Sequence, residues 1–328
     1  MKDFLKLIRW QNLLIVIMTM ILMRYFVIEP LISKVSVVLF GADGVEVPMQ
    51  LKQPWYDFLV LVIATVCITA GGYVINDYFD IQTDLINRGK VIVDSRISRR
   101  KAMMWHNILN VVGVAAGFYV SWKAGYFLLG TVFLIVSGLL YFYSASYKRQ
   151  FLIGNLLVAL LTAMVPMMVV FFEWPALYKF YFANAVQLPK LGFLFYWTGG
   201  FAFFAFLTTL AREIIKDIED FEGDIAYGRN TMPVVIGIPG SKIVSVGLVA
   251  SVLVLLYLTW FFYLRDNYTL IYLSLTLSIP LIYVIFRVLA GQSKKHLHSA
   301  SNAMKIAMLS GILYSLLVKA IITWNLIS

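Results

Sequence analysis

The residues best suited to chemistry in this chain are six aspartates in two equally spaced trios. Asp77, Asp80 and Asp84 follow one long apolar run, and Asp217, Asp220 and Asp224 follow another, 140 residues later. The i, i+3, i+7 spacing predicts three carboxylates on one face of an α-helix in each segment. With Glu213, Glu219 and Glu222 these residues make up nine of the chain's 17 acids. An ordinary solvated helix C-terminus would carry Lys or Arg instead, because the helix dipole disfavours acids there. Carboxylates packed this closely repel one another unless a cation sits among them. Two facing trios would hold Mg2+ carrying a diphosphate, with two ions matching the two trios.

The elements that must position these trios lie in a membrane. The 328 residues are 61% hydrophobic and 13% charged, with a mean hydropathy of +0.83, far from a soluble globular composition. Apolar runs long enough to span a bilayer recur at roughly 12–29, 56–83, 104–122, 126–146, 151–172, 194–216, 241–264, 268–290 and 303–325. These predict an all-α, multi-pass bundle of about nine transmembrane helices around a central cavity, forming one domain over 1–328. The equal Asp spacing predicts an internal repeat of about four helices, 1–148 and 149–290, followed by a ninth helix; an even-numbered unit gives both halves the same orientation. The run 56–83 is about 42 Å long at ~1.5 Å per residue, against a hydrocarbon core of ~30 Å, so its last turns project beyond the core. Gly71 and Gly72 just upstream permit close helix approach. The N-terminal stretch has a basic start but lacks a small-residue cleavage site, and it reads as a retained first helix.

The basic residues orient the bundle. With the N-terminus in the cytoplasm, the loops on that side carry Arg88, Lys90, Arg96, Arg99, Arg100, Lys101, Lys148, Arg149, Arg229, Lys242, Lys294 and Lys295. The opposite side is sparser, as the positive-inside rule requires. Both trios then emerge at the cytoplasmic face of the cell membrane. The net charge of +10 is spread over membrane-flanking loops, which points to topology and anionic lipid headgroups and away from nucleic acid. The single cysteine, Cys67, excludes an internal disulfide and a Cys-based metal site. His106, His296 and His298 read as interfacial polar residues.

The motifs Asn76-Asp77-x-x-Asp80-x-x-x-Asp84 and Asp217-x-x-Asp220-x-x-x-Asp224 resemble the paired Asp-rich motifs of the UbiA superfamily of intramembrane prenyltransferases. Tyr143-Ser144-x-x-x-Lys148-Arg149 with Asn155 is similar to the segment these enzymes carry after their fourth helix, and Arg9-x-x-Asn12 also fits. After the first motif the family often reads Asn-Arg-Pro-Asp-Arg-Pro. This chain has Asn87-Arg88-Gly89-Lys90-Val91, which puts Lys90 in place of an Arg at the phosphate. The resemblance implies Mg2+-dependent transfer from a prenyl diphosphate donor to a lipophilic acceptor. Lys148, Lys216, Arg229, Asn76 and Arg88 or Lys90 would then contact the diphosphate. Asn12, Tyr143, Ser144, Asn155 and Arg212 would serve the acceptor or prenyl pocket.

The chemistry fits those residues. Loss of pyrophosphate from an allylic diphosphate demands charge stabilisation on the leaving group and a dry, electron-rich surface for the carbocation, for which Tyr141, Phe142 and Tyr143 are available. Segments 85–101 and 225–240 are expected to act as lids that exclude water. The wording from Arg212 to Asp224, followed by Gly228, Thr231 and Pro233, most resembles the ether-lipid branch, whose enzymes add a second geranylgeranyl chain to geranylgeranylglyceryl phosphate. Prenylation of an aromatic quinone precursor is the alternative acceptor chemistry. A transporter using intramembrane carboxylates is the alternative of another class. A CDP-alcohol phosphotransferase would need an Asp-Gly-x-x-Ala-Arg segment within its acidic motif, which this chain lacks.

Overall fold

In a computed structural model of the chain, residues 2–40, 44–89, 91–187, 189–291 and 293–324 are described. Among them are nine helices long and apolar enough to cross a membrane: α1 Trp10–Ser33, α2 Trp55–Phe79, α3 Arg99–Lys123, α4 Phe127–Ala145, α5 Ile153–Asn184, α6 Phe193–Glu219, α7 Met232–Leu264, α8 Asn267–Ala290 and α9 Lys294–Thr323. The chain is a multi-pass membrane protein, as its composition requires. Local chemistry sets several boundaries. Ser98 caps α3 by accepting from the Lys101 amide, and Asp266 caps α8 by accepting from the Thr269 amide at 2.7 Å. Pro233 occupies the first turn of α7, where its missing N–H costs nothing.

Among the described residues three apolar clusters hold the bundle, two of them large. One joins α1, α2 and α5 through residues such as Met20, Val27, Leu61, Val169 and Phe172; the other joins α6 to α9 through Ile214, Ile215, Val249, Val284, Ala303 and Met304. Gly71 faces Asn110 and Gly72 faces Leu140 so closely that an added Cβ would lie 2.8 Å and 3.0 Å from those side chains. The Gly71 carbonyl accepts from or faces His106 Nδ1 at 3.0 Å. His106 is therefore buried against α2, contrary to the interfacial position read from the sequence.

At the end remote from the Asp motifs, a small antiparallel hairpin, β1 Ser36–Val38 with β2 Glu46–Pro48, leads into an anchored segment. Glu173 Oε1 on α5 accepts from the Lys52 and Gln53 amides at 2.7 and 3.0 Å. Glu173 also pairs with Arg24 of α1 at 3.3 Å. Arg24 donates to the Gln53 carbonyl and lies 4.5 Å over the Phe58 ring. Both charged side chains are out of contact with solvent.

At the motif end, neither trio lies on one continuous helix. α2 ends at Phe79, and Asp80 (φ −95°, ψ 3°) leads into a separate helix, Ile81–Arg88, closed by Gly89 at φ 64°. α6 ends at Glu219, and Asp220 (φ −91°, ψ 7°) leads into Phe221–Ala226. The single helical face expected for each trio is thus broken at its middle Asp. The expected lid at 225–240 is also shorter than its composition suggested. Helix resumes at Met232, and the glycine there, Gly237 (φ 77°), marks a kink within α7.

Candidate active site

The breaks at Asp80 and Asp220 turn the third Asp of each motif inward. A polar pocket of about 80 Å³ is lined by Asp80, Asp84, Asp217, Asp220 and Asp224, together with Arg9, Asn76, Thr83, Asn87, Tyr143, Lys148, Asn155, Lys216 and Arg229. The two motifs therefore face each other across one site. Asn87 Oδ1 accepts from the Gly223 amide at 3.1 Å, tying one short helix to the other. A Cβ at position 223 would lie 2.4 Å from the Asn87 amide nitrogen, so the close approach needs glycine.

Asp77 lines neither cavity and instead accepts from Arg9 Nη2 at 2.8 Å. Arg9 sits at a left-handed break (φ 51°) before α1 and stacks 4.9 Å from the Tyr73 ring. The sequence marked Arg9 only through its resemblance to family wording, because a basic residue before a first span is ordinary. Asp80 pairs with Lys148 at 2.7 Å and Arg229 at 2.5 Å. Burial works to raise the Asp80 pKa, but the Lys148 and Arg229 charges prevail and hold it below the usual carboxylate range. Lys148 also donates to Asn76 Oδ1 at 3.3 Å; burial brings its pKa down to about 8, against the opposing pull of Asp80. Arg229 donates to Thr83 Oγ1 as well, at 2.6 Å.

In the second motif, Asp217 accepts from Asn155 Nδ2 at 2.7 Å. Asp224 accepts from Thr231 Oγ1 at 2.9 Å and lies 3.5 Å from Arg229 Nη1. Burial pushes the Asp224 pKa up to about 6, with Arg229 opposing. Arg229 thus bridges the two motifs. Among the described residues, no three His, Cys, Asp or Glu side chains already converge as a metal cage. Hard oxygen donors that do not close a full shell suit Mg2+ in particular, which takes a few carboxylates and completes its shell with water and substrate phosphate.

The polar pocket abuts a much larger cavity of about 1660 Å³, and both linings include Arg9, Asn76, Tyr143, Glu213, Lys216 and Asp220. The large cavity is walled mainly by apolar and aromatic side chains from most of the helices, including Ile15, Val136, Phe201 and Leu277. Asn12 and Arg212 line it. Ser144 lines neither space, since its hydroxyl donates to Leu140 of its own helix at 3.0 Å. Arg212 pairs with its neighbour Glu213 at 2.7 Å. Lys216 also turns to Glu213, at 3.1 Å. Lys90 and the Arg88 side chain lie outside the described residues.

Residues 37–321 match the profile of the UbiA prenyltransferase family. The chain belongs to that family. This UbiA prenyltransferase is 31% identical to digeranylgeranylglyceryl phosphate synthase of Methanosphaera stadtmanae, over 76% of this chain and 84% of the relative. Its fold is similar to a solved structure of a digeranylgeranylglyceryl phosphate synthase in membranes (TM-score 0.59, 23% identity, 96% of this chain and 98% of the other). It is also similar in fold to a UbiA homologue from Archaeoglobus fulgidus bound to DMAPP and Mg2+ (TM-score 0.52, 15% identity, 96% and 99%). The nine-helix, all-α reading of the sequence agrees with these folds.

Proposed function

We propose that this prenyltransferase transfers a geranylgeranyl group from its diphosphate to geranylgeranylglyceryl phosphate, with Mg2+, at the cytoplasmic face of the cell membrane. The observation that carries this reading is the juxtaposition of a carboxylate-rich polar pocket with a large apolar cavity. A cavity of about 1660 Å³ exceeds the ~300–1,000 Å³ of a pocket for one small ligand and leaves room for two isoprenoid chains. The digeranylgeranylglyceryl phosphate synthases among the relatives support the choice of acceptor.

Asp77, Asp80, Asp84, Asp217, Asp220 and Asp224 are the proposed metal ligands, and two ions, one per motif, are the proposed stoichiometry. Mg2+ held there supplies electrostatic neutralisation of the leaving diphosphate. Lys148, Arg229, Asn76 and Lys216 orient the diphosphate so that its bond to prenyl C1 faces the cavity. As that C–O bond breaks, pyrophosphate takes the electron pair. The acceptor hydroxyl oxygen bonds to C1 and gives up its proton to the departing pyrophosphate. Tyr143, which lines both spaces, presents its ring to the positive charge on carbon. The apolar walls exclude water that would quench it. Arg212, in the cavity wall, contacts the acceptor phosphate. The matched breaks at Asp80 and Asp220 support reading the two halves as repeats of one unit, 1–148 and 149–290.

Purified protein incubated with labelled geranylgeranyl diphosphate, Mg2+ and a panel of acceptors should yield digeranylgeranylglyceryl phosphate and lose activity in EDTA. A prenylated hydroxybenzoate or dihydroxynaphthoate, with no turnover of the glyceryl phosphate, would assign the quinone-type reaction instead. Once Cys67 is replaced, a cysteine at position 96 should be labelled in sealed cells only from the cytoplasm; labelling from outside would reverse the topology.

A further inference from the structure

Helix α9 contributes a polar stripe to the large cavity: Ser301, Asn302 and Lys305, one face of the helix, followed by Met308 and Ile312 deeper in. Ala300, Ala303 and Ala307 pack this helix against Ala211, Ile214 and Ile215 of α6, and such small residues allow close approach. Lys305 is thereby brought within electrostatic range of Arg212, Lys216 and Arg9, and of one carboxylate, Glu213. The other basic groups of α9 that line the cavity have partners: Lys294 meets Glu222 at 2.5 Å and His298 meets Glu219 at 3.0 Å. Lys305 makes no hydrogen bond or ion pair among the described residues, and its side chain is exposed to the cavity.

Arg9 is committed to Asp77. Arg212 and Lys216 share Glu213, and Lys305 adds a third cation beside that single carboxylate. Arg212 Nε is also a buried donor without a partner. Lys216 also faces Asp217, but an excess of positive charge remains around Lys305 and Arg212, which suits a phosphate monoester, carrying about −1.5 to −2 at neutral pH. Lys305 and Arg212 belong only to the large cavity, whereas Lys216, Glu213 and Asp220 line both spaces.

We infer that Lys305, with Arg212, forms a second anion seat that binds the phosphate of the acceptor lipid and selects phosphorylated over neutral acceptors. This deepens the proposed reaction and rests on it for the identity of the acceptor. A lone cation next to like charges is unfavourable until an anion arrives, so the seat binds its ligand through differential electrostatics.

The test measures equilibrium binding of geranylgeranylglyceryl phosphate and of the corresponding neutral geranylgeranylglycerol to the detergent-solubilised full chain. It is done in EDTA without donor, so that the Asp pocket holds no metal to attract phosphate. Wild type should prefer the phosphate at least ~10-fold, the lower range for a charge-assisted hydrogen bond. Lys305→Gln should lose most of that preference with neutral-lipid affinity unchanged, and Lys305→Arg should retain it. In turnover, Lys305→Gln should raise the acceptor KM and leave the donor KM within about twofold. Equal wild-type affinity for the two lipids, an unchanged preference in Lys305→Gln, or an equal loss for both lipids would overturn the inference. Absent turnover of the glyceryl phosphate by wild type, with the binding preference intact, would remove the proposed reaction and leave the seat standing.

Discussion

The two Asp motifs share a backbone and differ in what holds their side chains. Each ends a membrane helix at its middle Asp with nearly the same dihedral angles, then restarts as a short helix. In the first motif the protein supplies cations of its own: Arg9 on Asp77, and Lys148 and Arg229 on Asp80. In the second, Asp217 has the neutral amide of Asn155. Asp224 has a hydroxyl at 2.9 Å and only a longer reach to Arg229, at 3.5 Å. The same backbone break therefore presents one electrostatically satisfied side and one side short of positive charge. The second side gains more from a divalent ion. The first is better suited to positioning the cationic side chains proposed to meet the diphosphate.

The sharpest way to break this contrast is to remove the leading Asp of each motif. Asp77→Ala and Asp217→Ala should each lower turnover at least ~10²-fold, the scale of one lost transition-state electrostatic contact. Asp217→Ala should raise the Mg2+ concentration needed for half-maximal rate more than Asp77→Ala does; equal Mg2+ dependence would erase the distinction. Arg229→Gln removes the bridge between the motifs. Leaving buried carboxylates without that partner should cost about 3 kcal/mol in metal-free stability, read as a lower Tm that added Mg2+ partly restores. An unchanged Tm would show that the bridge contributes little.

The pH profile sharpens the contrast further. Asp224 must lose its proton to favour a cation, so activity should fall as pH drops through about 6. Lys148 is charged below about 8 and neutral above it, so activity should fall again as pH rises through that value. Lys148→Arg should keep its charge and abolish the alkaline limb; a persisting limb would place that titration elsewhere. The smallest effect belongs to Asn155→Ala, which should raise the donor KM about tenfold through loss of one hydrogen bond to a carboxylate. The check is steady-state kinetics at saturating acceptor.

Much of this was legible in the sequence because it depends on local pattern. Apolar runs of membrane length marked the spans, and repeated carboxylates marked the site. The runs located helices but blurred their ends: the stretch 56–83 reads as continuous, yet α2 stops at Phe79. That break accompanies ion pairs from Lys148 and Arg229, residues remote in sequence from Asp80, and helical periodicity carries no information about such partners. Ser144 shows the converse. Its place in a familiar motif suggested a pocket residue, but a hydroxyl in a helix can bond to the carbonyl one turn back. Lys305 was invisible because a lysine within a long apolar helix acquires meaning only from the residues packed opposite it.

The Arg24–Glu173 pair carries a consequence for biogenesis. A charge deep in a membrane helix costs several kcal/mol while it is alone. Arg24 belongs to the first span and Glu173 to the fifth, so during synthesis the first helix leaves the ribosome long before its counter-charge exists. Until α5 arrives, α1 must stay near water or chaperoning protein, or let Arg24 reach the headgroups. Once the pair closes, the segment after the hairpin is pinned by Glu173 as well. Burial of one ion pair thereby becomes an assembly checkpoint, and a chain truncated before Glu173 should leave its first helix unable to settle and open to degradation.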